Sequence, residues 1–483
     1  MRLKVTLLFI YVLIMIALYA TFKATVPVWI AFFINGLILL GITGYHIFIE
    51  KVYSPFLSSF IVFSFLFFQV APIVQVNSFV AVSRRFMTYY PYTESEAIFT
   101  NLLICIFNIV FFSSYLLFKK IKLFKKVPKV SESAARILPL HILSLAILSG
   151  LIFLVSIGYV VEEIGRPTWM KSDTSTMAVL LWKKVLFLVP FAGVLLCFQY
   201  FNKEKKRAIN LVTIGALLLF FLVVLMWFKN PLTEKRNALG PIYICLIFLF
   251  IPRLLNSNVK TLFFLFFSMI ILFPLTAILT HTDATFEEML KDPIILIEEM
   301  NGGGIANAFN TLNYDAFANI MATKDFIGNY GFAHGEQFLS AFLFFVPRSV
   351  WSDKPISTGE LIGNHLIDDY GFRFNNLSNP LVSEGYINFG FVGIIIVAIV
   401  LAAVILKLMT WLKSDNYLKK MMAFYFGIHL IFLLRGDFTN GFTYYVGTLI
   451  GVIVIPKIIA FIIKLIVTYQ ETWKKSEIAK QAS

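Results

Sequence analysis

Residues 209–228 read INLVTIGALLLFFLVVLMWF and contain no charged side chain. An α-helix rises about 1.5 Å per residue, so about 20 apolar residues are needed to cross the roughly 30 Å hydrocarbon core of a bilayer. Basic clusters bound the stretch, with residues 203–207 before it and Lys229 after it. The stretch therefore predicts a membrane-spanning helix.

The composition of the whole chain agrees with that prediction. Of 483 residues, 59% are hydrophobic, 17% are aromatic and only 14% are charged. An average soluble domain is about half apolar and about a quarter charged, so this composition excludes an ordinary water-soluble protein. The three cysteines each lie inside an apolar run, which argues against a disulfide-stapled secreted scaffold: Cys105, Cys197 and Cys245.

Apolar runs of spanning length recur twelve times. We therefore predict an all-α fold, a polytopic membrane bundle of about 12 transmembrane helices. The first run follows Arg2 and Lys4 as a signal peptide would, but it is longer than a normal signal core and no clear cleavage site follows, so we interpret it as a span. The runs are 5–22, 26–48, 55–77, 97–118, 139–161, 178–200, 209–228, 240–256, 261–280, 387–411, 420–435 and 441–463.

The net charge of +14 is explained by orientation in the membrane and does not require a nucleic-acid partner. Cytoplasmic loops of membrane proteins carry an excess of Lys and Arg. With a cytoplasmic N-terminus, the predicted inner segments hold the main basic clusters, and an even number of spans returns the C-terminus to the cytoplasm. Those clusters are at 119–129, 203–207, 413–420 and 474–480.

The predicted spans divide the chain into three parts. Residues 1–280 hold nine transmembrane helices, 281–386 form a large extracytoplasmic loop, and 387–483 hold three more helices and a cytoplasmic tail. Long loops of mixed composition usually carry function, so we expect active-site elements here. Within the loop, the sequence predicts helical stretches at 286–300 and 305–321, a glycine break at 302–304, and an apolar segment at 338–346 that is too short to span.

Basic residues on the predicted outer side run against the positive-inside bias and are candidates for function. They lie in 230–237, 347–355 and 435–437. The guanidinium fork of Arg suits phosphate oxygens, so these residues would bind a lipid-linked diphosphate. The alternative is structural: they reach lipid headgroups or pair with nearby acids. The predicted substrate-binding set is Lys235, Arg236, Lys354, Arg435, Trp351, Asp353 and Asn388, and Arg348 is predicted to be catalytic.

Two residues are candidates for a general base. His334 lies within GFAHGE. Glu384 lies three residues before the tenth run, so it is expected at the membrane surface. A base must be a carboxylate or imidazole beside the attacking hydroxyl. The alternative for Glu384 is a carboxylate that stabilises a helix N-terminus. Histidines are scattered singly and nucleotide-binding fingerprints are absent, so we predict no metal and no cofactor.

Two motifs point to a known family. FVPRSVWSDKP at 345–355 and SEGYINFG at 383–390 resemble the bacterial O-antigen and capsule repeat-unit polymerases, the Wzy family. Members of that family share a dozen or so spans and one large outer loop late in the chain. The resemblance covers the architecture of the whole chain, but specific residues only over about 330–392.

The resemblance implies a metal-independent, inverting glycosyl transfer at the outer face of the bacterial cytoplasmic membrane. The donor would be a polysaccharide on undecaprenyl diphosphate, and the acceptor would be the terminal sugar of one lipid-linked repeat unit. A flippase and a chain-length regulator would be partners. Arg348 matches the family's Pro-Arg position, Lys354 its Lys-Pro position and Glu384 its Gly-preceding acid, whereas Arg236 corresponds only loosely to a basic residue after the seventh span.

Two other functions stay open. A lipid-linked oligosaccharide flippase or another transporter would place charges at mid-membrane along a pathway and would have modest loops. Here charge is sparse inside the predicted spans and concentrated in one long outer loop, which disfavours transport. A ligase of the same superfamily is not separated from a polymerase by sequence.

Overall fold

A computed structural model describes residues 2–78, 90–121, 123–124, 138–165, 176–202, 208–231, 234, 236–272 and 309–482. All regular secondary structure in these ranges is helical, with no strand. Ten helices in the same ranges are long and apolar enough to cross a membrane. The prediction of an all-α polytopic bundle is therefore confirmed.

Seven of these candidate spans come first along the chain. They are α1 (Arg2–Thr21), α2 (Val26–Ile49), α3 (Pro55–Asn77), α4 (Glu96–Lys120), α5 (Leu138–Glu163), α6 (Leu180–Phe201) and α7 (Asn210–Phe228). Two shorter helices follow, α8 (Arg236–Phe250) and α9 (Asn258–Phe267). The large loop contributes α10 (Ala316–Tyr330), α11 (Glu336–Phe342) and α12 (Thr358–Tyr370). The last three spans are α13 (Leu381–Leu412), α14 (Tyr417–Arg435) and α15 (Phe438–Trp473).

The predicted count of twelve spans is not confirmed, because α8 and α9 are short. α8 has 15 residues, which at about 1.5 Å per residue gives roughly 22 Å, less than a bilayer core. α9 is extended only by a π-helical turn, Ser268–Leu272. The remainder of the ninth apolar run lies outside the described residues.

Several spans contain a π-helical turn just before a proline. Proline lacks the backbone N–H and its ring collides with the carbonyl four residues earlier, which kinks or breaks a regular α-helix. A wider turn relieves that collision while the backbone stays helical. Such π turns are Leu66–Val70 before Pro72 and Ile450–Val454 before Pro456. In α6, a π turn at Leu180–Val185 and a 3₁₀ turn at Leu186–Leu188 precede Pro190.

The chain forms two compact units. The first contains residues 1–125, 240–409 and 425–443. Its centre is α3, which is buried on nearly every side and is apolar all round, as a helix enclosed by others must be. Phe60 of α3 stacks on Phe111 of α4 with ring centroids 4.2 Å apart.

The second unit contains residues 126–239, 410–424 and 444–483. Helices α5, α6 and α7 pack against one another. Phe187 of α6 stacks on Phe228 of α7 with centroids 4.2 Å apart. Gly193 permits this packing, because a side chain there would overlap the ring of Phe221.

The outer-loop helices differ in part from the sequence-based expectation. A 3₁₀ turn at Leu312–Tyr314 precedes α10, which extends past the predicted 305–321 to Tyr330. The first half of α10, residues 316–323, is fully buried in the first unit. The predicted helix at 286–300 and the glycines 302–304 lie outside the described residues. The division of the chain at 280 and 386 stays a prediction.

Candidate active site

Glu384 is positioned by a break in α13. Phe389 (φ −145°, ψ 23°) and Gly390 (φ 59°, ψ −141°) are not helical, so residues 381–388 form a separate short segment. The left-handed conformation of Gly390 is one that glycine adopts at little cost. The two parts of α13 meet backbone to backbone, because a side chain on Gly393 would overlap the carbonyl oxygen of Gly385.

Both carboxylate oxygens of Glu384 are engaged inside the first unit. Glu384 is only 1% exposed. Thr358 Oγ1 donates a hydrogen bond to Oε2 at 2.8 Å, and the backbone N–H of Phe438 donates to Oε1 at 3.0 Å. Phe438 begins α15, so the carboxylate stabilises the N-terminus of that helix. Glu384 therefore joins α12, α13 and α15.

The surroundings of Glu384 include residues that sequence reasoning missed. Asp437 is buried, immediately precedes Phe438, and accepts a hydrogen bond from the backbone N–H of Thr439 at 3.1 Å. Gln337 Oε1 lies 3.5 Å from Thr358 Oγ1. Asn388, a predicted substrate-binding residue, is fully buried and donates from Nδ2 to the Glu384 carbonyl at 2.8 Å. Among the residues that were missed, only Asp437 could have been identified from the sequence, because it lies two residues after Arg435, a predicted substrate-binding residue.

Lys354 holds the end of α11. Its ammonium donates hydrogen bonds to the carbonyl oxygens of Leu343, Phe344 and Val346 at 3.0, 2.9 and 3.1 Å. An ammonium has three protons, so its donors are all used. Burial, and then the charge of Arg348, lower the pKa of Lys354. These contacts favour a structural role, and substrate binding by Lys354 stays a prediction.

Arg348 lies on the same turn but faces outward. Its Nη1 donates to the Lys354 carbonyl at 2.6 Å, and its side chain is exposed. The turn itself is closed by hydrogen bonds from the N–H groups of Val350 and Trp351 to the Pro347 carbonyl, at 3.0 and 3.1 Å. A guanidinium has five donors, so the single bond from Nη1 leaves others directed to the outside.

His334 stands on a turn beside the Glu384 segment. It is exposed and has a positive φ of 47°, between Gly331 and Gly335, which also have positive φ. The neighbouring Ala333 N–H donates to the Ile387 carbonyl at 2.9 Å. The structure therefore brings the two predicted base residues onto adjacent segments, one exposed and one buried.

Arg435 is paired with an acid that the sequence did not suggest. Its Nη2 donates to the Leu312 carbonyl at 3.0 Å and lies 3.4 Å from Asp315 Oδ1. Burial raises the pKa of Asp315, and the charge of Arg435 opposes that rise. The pair ties α14 to the start of α10, so its visible role is structural, and the proposed contact with substrate stays a prediction.

The structure says less about the roles of the remaining predicted residues. Trp351 is half-buried and Asp353 is exposed on the turn that carries Arg348. Arg236 is the first residue of α8, but its side chain lies outside the described part of the chain, as does all of Lys235.

Two charged groups were not predicted at all. In the second unit, Lys183 pairs with Glu163 at 2.5 Å and with Glu234 at 3.5 Å, and Glu234 also pairs with Lys229 at 3.5 Å. In the first unit, the His365 ring lies between Asp325 (3.0 Å) and Asp369 (2.7 Å). Each group combines a local pair, His365 with Asp369 and Lys229 with Glu234, with partners that are distant in sequence, Asp325 for the first pair and Lys183 with Glu163 for the second. Sequence spacing alone does not identify the distant partners. Among the described residues, no group of three or more His, Cys, Asp or Glu side chains could hold a metal ion.

Comparison with known proteins gives one match. The family model described as O-antigen polysaccharide polymerase Wzy matches residues 377–469. That range includes the motif at 383–390 and ends within α15, whereas the motif at 345–355 lies outside it. No match was found among the curated proteins or the solved structures. The predicted resemblance to the Wzy family of O-antigen polysaccharide polymerases is thus confirmed over residues 377–469 of this multi-pass chain.

Proposed function

We propose that this chain joins undecaprenyl-diphosphate-linked repeat units into a surface polysaccharide at the outer face of the cytoplasmic membrane. The family match supports O-antigen polymerisation in general, and the ten apolar helices support a multi-pass protein of the bacterial inner membrane. The finer proposal includes cytoplasmic termini, a metal-independent reaction, and a flippase and chain-length regulator as partners.

The exposed guanidinium of Arg348 carries the proposal. In the reaction, the bond from the anomeric carbon to the diphosphate oxygen breaks, and the electron pair passes to the diphosphate. Preorganised cationic donors stabilise charge that develops on a leaving group. Arg348 has unused donors that face outward, whereas Lys354 spends its three donors on carbonyls. We assign Arg348 to the diphosphate and Lys354 to holding its turn.

His334 is the better candidate for the base. As the acceptor hydroxyl oxygen attacks the anomeric carbon, its proton must pass to a group that substrate can touch. The imidazole of His334 is exposed, but Glu384 is buried and both of its oxygens accept hydrogen bonds. Glu384 is therefore proposed as a positioning residue.

In an inverting displacement the base and the leaving group lie on opposite sides of the reacting carbon. His334 precedes α11 and Arg348 follows it along the chain, so we propose that they act from these two sides.

Transport is not favoured by the buried charges of the second unit. Glu163 ends α5, Lys183 is near the start of α6, and Lys229 follows α7. The charges thus lie at the ends of spans, whereas a translocation pathway places them at mid-membrane.

Arg348→Ala tests the proposed function in cells. We expect loss of long-chain polysaccharide and accumulation of single lipid-linked units, because the leaving diphosphate loses its cation. The matched control is Arg373→Ala, another exposed arginine of the same loop, which should give the normal ladder on a polysaccharide gel. A normal ladder from Arg348→Ala at normal protein level would contradict the assignment. A ligase would instead lose transfer to an acceptor that is not lipid-linked, with chains on the carrier unchanged.

A further inference from the structure

Helix α11 is oriented opposite to an ordinary surface helix. Its buried face consists of polar and small residues, Gln337, Ser340 and Ala341, which are at most 6% exposed. Its outer face carries Leu339 and Phe342, each 50% exposed, while Glu336 is exposed at its N-terminal end. A helix beside water normally buries its large apolar side chains and exposes its polar ones. The exposed face around Leu339 and Phe342 therefore suits an apolar environment better than water.

Hydrogen bonds fix α11 in this orientation. Ser340 Oγ donates to the Pro355 carbonyl at 2.9 Å. Lys354 binds the carbonyls just beyond the C-terminal end of the helix. Rotating α11 to hide Leu339 would leave these buried polar groups without partners, which costs free energy.

The apolar surface continues onto the turn that follows α11. Phe345 is 53% exposed and Val350 is 77% exposed. We call Leu339, Phe342, Phe345 and Val350 the apolar patch. Arg348 lies in the same turn, so the patch is bordered by an exposed cation.

Ring contacts place the patch at the end of a membrane span. Phe342 packs edge-to-face on Phe438 and Phe442, with centroids 5.9 and 5.1 Å apart. Phe344 also contacts Phe442 at 6.3 Å. Phe438 is the first residue of α15, a candidate span, and Phe442 lies about 6 Å farther along the helix. The patch is thus level with the first turn or so of α15.

We propose that the apolar patch inserts into the outer leaflet of the bilayer and binds lipid. Interfacial helices bury their apolar face about 5–10 Å deep, at the boundary of headgroups and chains, and keep cations at the phosphates. Arg348 borders the patch and so stands at the depth of lipid phosphates. This proposal depends on the membrane location of α15 and does not depend on the proposed reaction. If the patch inserts, Arg348 lies where the diphosphate of a lipid-linked substrate would lie.

Site-directed fluorescence tests the insertion directly. In protein lacking Cys105, Cys197 and Cys245, single Leu339→Cys and Val350→Cys variants are labelled with an environment-sensitive dye. The protein is placed in phosphatidylcholine nanodiscs with or without bromine on the lipid chains. The matched controls are Tyr330→Cys and Phe374→Cys. These aromatics are 60% and 50% exposed on the same loop but are not part of the apolar patch, and Tyr330 donates a hydrogen bond to Asp369.

We expect a blue-shifted emission and loss of intensity with brominated lipid at 339 and 350, and neither at 330 and 374. Equal quenching at all four positions, or no quenching at 339 and 350, would overturn the proposal. A blue shift without bromine quenching would also overturn it, because protein would then cover the patch. Val350 lies outside α11, so its variant keeps the test valid where Leu339→Cys fails to fold. The result is independent of activity and so separable from failure of the proposed polymerase function.

Discussion

At the scale of single residues, two cations of one motif have different surroundings. Lys354 donates to three backbone carbonyls, while Arg348 keeps an exposed guanidinium bound to a single carbonyl. Both would be counted as diphosphate ligands from the sequence, since each is basic and lies on the predicted outer side. The difference arises because the chain turns at Pro347 and directs Lys354 back toward the end of α11.

Substitutions of the two candidate bases should have opposite effects on turnover and on stability. We expect His334→Gln to lower turnover by about 100-fold or more, the usual contribution of a general base, without changing thermal stability. Glu384→Gln should instead lower the free energy of unfolding by about 1–3 kcal/mol, as expected when a buried hydrogen-bonding group is weakened, while keeping measurable turnover. Purified variants are compared by elongation rate and by melting in detergent.

The opposite pattern would reverse these roles. If Glu384→Gln is as stable as the wild type yet inactive, the carboxylate takes part in chemistry. A wild-type elongation rate in His334→Gln would remove His334 from the mechanism.

Sequence could single out Glu384 as a candidate but could not predict its surroundings. The motif and the position before an apolar run marked the residue, and a carboxylate at a helix N-terminus was one of its two interpretations. Its partners Thr358 and Phe438 are 26 and 54 residues away along the chain. No local pattern identifies such partners, and the burial that disfavours a general base follows from them.

At the scale of elements, the break in α13 positions Glu384. The apolar run predicted a span from 387, whereas the helix begins at Leu381 and is interrupted at Phe389 and Gly390. Hydropathy reports which residues tolerate lipid and is insensitive to a change of backbone direction. The glycines that permit the break were visible in the motif at 383–390, but their contact with Gly393 required the fold.

Gly393→Ala should therefore destabilise the protein. The added methyl overlaps the Gly385 carbonyl, and overpacking of this kind costs about 1–3 kcal/mol. The control is Gly215→Ala in α7, where no atom lies within 4 Å of the new methyl and alanine favours the helix by up to about 1 kcal/mol. The measurement is a melting curve of each variant. If Gly393→Ala is as stable as Gly215→Ala, the close approach of Gly393 to Gly385 is not required.

At the scale of the whole molecule, composition and hydropathy were sufficient for the class of fold. They identified a helical membrane protein and ten of the runs now seen as candidate spans. They did not establish the count of twelve, because α8 ends at Phe250 and contains Pro241. The burial of α10 in the first unit was also not predicted, because its buried half is rich in small residues, which hydropathy does not identify as buried.

We propose that this chain elongates lipid-linked repeat units without a metal ion. The most direct measurement is polymer length after purified protein is reconstituted in liposomes with single lipid-linked units and EDTA. We predict a ladder of longer lipid-linked chains, because Arg348 supplies the charge that a divalent ion would otherwise provide. Recovery of single units alone from folded wild-type protein would contradict the polymerase, and a ladder that disappears only with EDTA would contradict the metal-free mechanism.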